Sequence, residues 1–256
     1  MSDADNPEDA RPPAIVASPD KLAKLKDRTD ARIALGRAGS GLPTAPQLKF
    51  ALDHAMARDA VHSELDIENL KASFEKLGFE PHVVTSQAGD RTTYLARPDL
   101  GRELDVDDRH ELETETGGDL AIVVADGLSA TAVNLNAVAT VEALQTVCDL
   151  EMRLILATGA RVALGDKIAM ALNCEKVLVL IGERPGLSAA DSLGAYFTHK
   201  PREDTEDAER FCVSNIRNGG LNPQDAARKI ADLILKAEER GYSGVTKRDG
   251  AKQIED

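Results

Sequence analysis

Aromatic residues and metal-ligand spacings are scarce in this sequence. Its 256 residues include no Trp, three Tyr and five Phe, so stacking platforms for bases or sugars are not expected. The three cysteines, Cys148, Cys174 and Cys212, form neither a C-x-x-C pair nor a Cys/His ligand pattern, which argues against a structural zinc site. Their odd number predicts reduced thiols in a cytoplasmic protein. No apolar run approaches the roughly 20 residues that span a bilayer.

Positive charge is also in deficit. The chain has 44 acidic and 31 basic side chains, for a formal net charge of -13. A nucleic-acid-binding protein needs a basic surface that displaces counterions, and docking on anionic lipid needs one as well. The composition, 42% hydrophobic and 29% charged, is otherwise that of an ordinary globular protein. It therefore argues against nucleic-acid and membrane partners.

Composition divides the chain into four regions. Prolines and acids dominate residues 1–28, which have almost nothing to bury and are predicted to form a mobile tail. Residues 29–117 are predicted to form a mainly helical N-terminal region, and residues 118–245 a larger α/β domain. Residues 246–256 are predicted to be a second tail.

Two kinds of local pattern occur in the N-terminal region. Apolar side chains recur at helical spacing from Leu48 to Met56 and again from Ile67 to Leu77, which predicts two helices. The runs Val83–Thr85 and Thr92–Leu95 flank a glycine turn and predict a short hairpin. A strongly acidic stretch then leads to Gly117-Gly118, where the pattern changes.

The larger region alternates between strand and helix patterns. Three continuous apolar runs occur in it: Leu120–Ala125, Leu154–Ala157 and Val177–Ile181. Such runs are typical of strands buried on both faces, and helical stretches separate them. This alternation predicts a Rossmann-like α/β fold with a doubly wound parallel sheet. Asn222 as a cap, Pro223 and Gly241 mark the ends of a closing helix.

Ligands of such sheets bind outside the carboxyl ends of the strands. Three turns follow those ends and are expected to converge: Asp126–Ser129, Thr158–Val162 and Gly182–Gly186. The first turn does not match G-x-G-x-x-G, no G-x-S-x-G follows a strand, and no Ser/His/Asp triad can be assembled. The residues alone therefore predict a binding domain, and a free-standing nucleotide-binding α/β protein is the alternative.

Five short stretches stand in a characteristic order along the chain: Ala31–Gly39, Tyr94–Arg102, Asp126–Ser129, Ile181–Leu187 and Cys212–Ile216. Together they resemble the small subunit (light chain) family of ethanolamine ammonia-lyase, over about residues 30–245. The resemblance implies a subunit that works with a large TIM-barrel subunit, which binds the substrate. It implies conversion of ethanolamine to acetaldehyde and ammonia by adenosylcobalamin radical chemistry. No catalytic or metal-ligating residue is then expected in this chain.

The resemblance also assigns residues. The family's cobalamin contacts correspond to Val162, Glu183 and Cys212. Other interpretations of these residues remain open: Val162 as core, Cys212 as a small buried hydrophobe, and Glu183 as half of an ion pair with Arg184. Further candidates flank the same turns or the final strand-like stretch: Asp126, Arg184, Ser214 and Asn215.

One cobalamin motif is incomplete. Many cobalamin proteins supply a histidine to cobalt from an Asp-x-His-x-x-Gly loop, whereas Asp108–Glu113 lacks the final glycine and precedes the sheet. The cofactor is therefore predicted to keep its own base on cobalt. The resemblance leaves open whether the protein enters a bacterial microcompartment.

Overall fold

The computed structural model describes residues 15–16, 22, 24–29, 31–115 and 117–245. The chain divides into two compact units, residues 1–56 and 57–256. Most of the predicted tail over residues 1–28, and all of the tail over 246–256, lies outside the described residues.

The described residues of the first unit contain little regular structure before the helix that begins at Thr44. Strand β1 (Ile15–Val16) pairs antiparallel with β2 (Arg37–Ala38), and helix α1 spans Thr44–His62. Arg32 donates to the Asp53 carboxylate on α1 at 2.6 Å. The helix predicted from Leu48 onward is confirmed.

The second unit contains the remaining elements, in chain order: α2 (Ile67–Lys76), β3 (His82–Thr85), α3 (Arg91–Ala96), α4 (Val106–Leu112), β4 (Leu120–Ala125), α5 (Ala130–Gln145), β5 (Met152–Thr158), α6 (Leu164–Ala171), β6 (Lys176–Gly182), β7 (Leu193–His199), β8 (Phe211–Ile216) and α7 (Pro223–Arg240). They form one six-stranded sheet in the order β3-β5-β4-β6-β7-β8. The first four strands of that order are parallel, so the predicted α/β class is confirmed.

The sheet is mixed, whereas the sequence predicted a parallel one. Strands β7 and β8 each run antiparallel to the preceding strand. The segments before them, 183–192 and 200–210, contain no α-helix. Parallel pairing needs a longer crossover, usually a helix, so short connections of this kind return the chain in the opposite direction.

The predicted hairpin is wrong. Thr92–Leu95 lies within α3, because the Asp90 side chain accepts hydrogen bonds from Thr92 N at 2.9 Å and Thr93 N at 3.0 Å and so caps the helix. Val83–Thr85 does form a strand, but β3 pairs with β5 of the main sheet instead of a neighbouring run. Local capping and a long-range partner thus override the strand propensity of threonine and tyrosine.

Helices cover both faces of the sheet. The first core joins apolar side chains of the sheet to α2, α5 and α7, and the second joins the opposite faces of the same strands to α4 and α6. Every residue of β4 is buried, as its continuous apolar run predicts. The edge strand β8 differs: Val213 and Ile216 are buried, while Cys212 and Ser214 are exposed. Its α6 side is therefore open.

Candidate functional site

The three predicted turns converge at the carboxyl ends of β4, β5 and β6. The Asp126 carboxylate accepts hydrogen bonds from Gly159 N and Ala160 N, both at 2.9 Å, and Leu128 N donates to Gly182 O at 2.9 Å. Burial raises the pKa of Asp126, while these amides and the Arg91 guanidinium oppose the increase. Asp126 is thus occupied in joining the first two turns.

A pocket of about 270 Å³ opens beside the second turn, on the α6 side of the sheet. Its lining comes from the turns before α4 and α6, from β7, and from β8 with the residues just before it: Arg102, Arg161, Val162, Ala163, Tyr196, Asp207, Arg210 and Cys212. Two of the three predicted cobalamin contacts, Val162 and Cys212, therefore line the same pocket. A cavity of this size suits a small group or one part of a larger ligand.

Cys212 is the second residue of β8, level with the middle of β6 and β7 and away from the turns. It is paired with Tyr196 of β7, which is paired in turn with Val179 of β6. Partial desolvation raises the pKa of the Cys212 thiol, and the Glu183 carboxylate adds to the increase, while a hydrogen bond from Tyr196 opposes it. A neutral thiol at pH 7 is a weak nucleophile. Because the side chain is exposed, the interpretation of Cys212 as a buried hydrophobe is wrong.

Glu183 lies next to the pocket without lining it. Its carboxylate accepts hydrogen bonds from the Ser192 hydroxyl and, at 3.4 Å, from Asn215 N. A Cβ added to Gly194 would lie 3.0 Å from Glu183 Oε1 and 3.0 Å from Tyr196 Cε2. The two side chains therefore lie on either side of a glycine that leaves room for both. Among the described residues Glu183 forms no ion pair with Arg184.

Val162 has two environments. It is half-buried and packs against the core under α6, and it also lines the pocket. The core interpretation and the contact interpretation are thus compatible. Of the further candidates, Ser214 and Asn215 are exposed on β8, and Arg184 is exposed beyond β6.

A buried ion pair joins two of the elements that surround the pocket. Arg210, just before β8, donates from Nη1 and Nη2 to the two carboxylate oxygens of Asp166 in α6, at 2.7 and 2.6 Å. Its Nη1 also donates to the Thr198 hydroxyl at 2.8 Å. Both charged side chains are almost fully buried. The pair connects β8 to α6 across the open side of the sheet.

Sequence reasoning missed Tyr196, Arg210 and the role of Arg102. One available signal was the alternation at the start of Phe211–Ile216, where Val213 is buried between the exposed residues Cys212 and Ser214. Another was Tyr94–Arg102, one of the stretches that carry the family resemblance. Its Gly101 contacts the second turn directly, since Arg161 N donates to Gly101 O at 2.8 Å.

The incomplete histidine motif lies on a helix. Asp108 and His110 are in α4, where the Asp108 carboxylate accepts a hydrogen bond from Thr85 N at 2.6 Å. No three His, Cys, Asp or Glu side chains cluster for a metal ion within the described parts of the chain. In those same parts, no helix is long and apolar enough to cross a membrane.

Fold and pocket together define an α/β protein with a small binding site on an incompletely covered sheet. The family model described as "Ethanolamine ammonia-lyase light chain (EutC)" matches residues 19–248. The chain belongs to this family of ethanolamine ammonia-lyase small subunits.

Individual relatives agree with the family match. The chain is 47% identical to the ethanolamine ammonia-lyase small subunit of Rhodopseudomonas palustris (strain BisA53), over 89% of this chain and 90% of the relative. It is 46% identical to that of Bradyrhizobium diazoefficiens, over 93% of each chain. It is 44% identical to that of Pseudomonas syringae pv. tomato, over 90% of this chain and 83% of the relative.

Proposed function

We propose that this chain contributes part of the cobalamin site of an ethanolamine ammonia-lyase and acts only together with a large TIM-barrel subunit. The assembly would convert ethanolamine to acetaldehyde and ammonia, with substrate held by the large subunit. The observation that supports this most is that Val162 and Cys212 line one pocket, with Glu183 beside it, in a chain of the small-subunit family.

The residues fit part of a corrin and not all of it. A pocket of about 270 Å³ is too small to enclose the macrocycle, and the exposed face of β8 continues the same surface. The amide groups at the corrin periphery need both hydrogen-bond donors and acceptors. Tyr196 offers a donor, and Glu183 offers an acceptor. Such a surface forms one wall of a cofactor site, and a partner subunit forms the rest of that site.

Bound adenosylcobalamin would supply an adenosyl radical through cleavage of its cobalt–carbon bond. The residues of this chain would bind and orient the cofactor. Val162 and Ala163 give apolar contact and exclude water from it. Glu183 is held by the Ser192 hydroxyl and the Asn215 amide, so its carboxylate is positioned before the cofactor arrives.

We also expect the cofactor's own base to remain on cobalt. Asp108 is already hydrogen-bonded to Thr85 N, and His110 is on a helix and not in a loop. The Co(II) electron paramagnetic resonance signal of the assembled enzyme should then change when the benzimidazole of the cofactor is labelled with nitrogen-15. A change on histidine labelling alone would contradict the prediction.

The main experiment purifies this chain with its large subunit. The complex should carry bound corrin in its visible spectrum and deaminate ethanolamine, while the chain alone should do neither. Glu183→Ala should weaken cobalamin binding by the complex roughly tenfold, the worth of one charged hydrogen bond. The control is Glu142→Ala, because Glu142 is exposed on α5.

Two results would contradict the proposal. Unchanged cobalamin affinity in Glu183→Ala would exclude a contact by Glu183, and a complex without any corrin affinity would reduce the chain to an interaction module. Binding of NAD or ATP by the isolated chain would instead support a free-standing nucleotide-binding protein.

A further inference from the structure

The pocket wall carries two arginines without acidic partners. Arg210 is neutralised by Asp166 and approached by Asp207 at 3.4 Å. Arg102 and Arg161, by contrast, form no ion pair with any described residue, although both line the pocket. The chain as a whole carries a net charge of -13, so this local excess of positive charge is opposite in sign to the rest of the molecule.

The packing of a glycine brings these two arginines together. Arg161 N donates to Gly101 O at 2.8 Å, and a Cβ on Gly101 would lie 3.0 Å from Arg161 Cγ. Gly101 therefore lies directly against Arg161, and Arg102 follows it at the end of a 3₁₀ turn, Leu100–Arg102. Both arginines thus reach the same pocket.

The Arg161 guanidinium is held in place by its other contacts. Its central carbon lies 4.3 Å from the centroid of the Tyr94 ring, and its Nη2 donates to Tyr94 O at 3.4 Å. Tyr94 itself is fully buried and donates to Ala160 O at 3.2 Å. A guanidinium fixed in this way loses little conformational freedom when it binds a ligand.

One donor of Arg161 has nothing to bind. Its Nε is buried without a hydrogen-bond acceptor among the described residues, so a ligand in the pocket reaches Arg161 through the terminal Nη groups of the guanidinium. A tetrahedral anion with several oxygens matches two neighbouring guanidinium groups better than a neutral amide does, because arginine binds phosphate through paired, charge-assisted hydrogen bonds. Cobalamin carries one such group, the phosphodiester of its nucleotide tail.

We propose that Arg102 and Arg161 form a subsite for the phosphodiester of the cobalamin nucleotide tail. This inference rests on the proposed function and specifies which part of the cofactor the small subunit recognises. The volume of about 270 Å³ suits a phosphate and its immediate neighbours. Since the pocket also contains Val162 and Cys212, it places the phosphate end of the tail against β8.

The test compares two corrins on the complex with the large subunit. Cobalamin contains the phosphodiester, and cobinamide lacks the phosphate, ribose and base. Arg161→Gln and Arg102→Gln should each weaken cobalamin binding roughly 10- to 100-fold, as expected for lost charged hydrogen bonds, and leave cobinamide binding unchanged. Added salt should weaken cobalamin binding less in the variants than in the parent.

The control variant is Arg97→Gln. Arg97 belongs to the same sequence motif but is exposed and paired with Asp99 at 2.6 Å, away from the pocket lining. It should bind both corrins as the parent does. Arg161→Gln also removes the stacking of Arg161 on Tyr94 and so changes the packing of the protein. Arg102 is exposed, so Arg102→Gln tests the subsite without that loss of packing.

The outcomes separate this inference from the proposed function. Equal losses for cobalamin and cobinamide, or no loss for either, would overturn the phosphate assignment and leave the cobalamin site standing. Failure of the parent complex to bind either corrin would overturn both. Inorganic phosphate should compete with cobalamin and not with cobinamide; competition with neither would also count against the subsite.

Discussion

Strands β4 and β8 belong to one sheet but differ in how far their two faces are buried. All six residues of β4 are buried between helices on both faces, whereas β8 buries Val213 and Ile216 and exposes Cys212 and Ser214. The first pattern maximises apolar burial. The second leaves one face of an edge strand without a covering helix, and that face carries the candidate site.

The difference shows how this fold provides a binding surface without interrupting its core. Helix α7 covers one side of β8, since its apolar side chains share a core with Val213 and Ile216. On the other side, α6 packs over the parallel strands, as Gly165 of α6 lies directly against Val179. The pocket lies where the cover of α6 ends. The predictions below test this division of roles, from the largest expected effect to the smallest.

The buried pair between Arg210 and Asp166 should contribute most to keeping β8 in place. Arg210→Met removes one charge and leaves the other buried, which costs about 3–5 kcal/mol of unfolding free energy. The change is measured by urea denaturation of the full chain. The double variant Asp166→Leu/Arg210→Met should recover most of the loss, because no unpaired charge remains. A double variant as unstable as the single one would show that the pair is not the cause.

The covered part of the sheet and the open face of β8 can be compared with one pair of substitutions. Val179 and Cys212 lie on the same face of the sheet, on either side of Tyr196, but only Val179 packs under α6. Val179→Ala should cost about 2 kcal/mol, from roughly 0.8 kcal/mol per buried methylene and a residual cavity. Cys212→Ala should stay within about 0.5 kcal/mol, as surface substitutions do. Similar losses at both positions would contradict an open face at β8.

The wall of the pocket should be sensitive to added volume. Gly101→Ala would place a Cβ 3.0 Å from Arg161 Cγ and 3.1 Å from Gly159 O. We expect a loss of about 1 kcal/mol, at the lower end for overpacking, measured by thermal or urea unfolding. Gly186→Ala is the matched control, because its nearest atom would be 3.8 Å away. If both variants were equally stable, the packing of Gly101 on the second turn would not be tight.

These features explain which parts of the fold could be predicted from sequence. Strands β4 and β6 are buried on both faces, so their apolar runs identify them without knowledge of their partners. Strand β8 exposes Cys212, Ser214 and Asn215, so its sequence resembles a polar loop. Helix α3 was missed because a single cap at Asp90 decided between two local structures.

The candidate site was predictable only in part. The convergence of the three turns follows from the geometry of parallel strands. The hydrogen bonds of Asp126 to the second turn and of Leu128 N to Gly182 O bear it out. Val162, Glu183 and Cys212 came from family resemblance alone, and their contact with cobalamin stays a prediction. The meeting of Arg102 with Arg161 depends on one backbone hydrogen bond at Gly101. No spacing or periodicity in the sequence indicates such a contact.

The smallest expected effect concerns the end of β7 that lies farthest from the turns. Burial lowers the pKa of His199 below 6.5, and its buried Nδ1 has no partner among the described residues. Between the lowered pKa and 6.5, the unfolded chain binds more protons than the folded one, so stability should decrease as the pH falls through this window. His199→Gln should flatten that slope in urea titrations across the window. An unchanged slope in His199→Gln would show that this end of β7 is open to solvent, as β8 is.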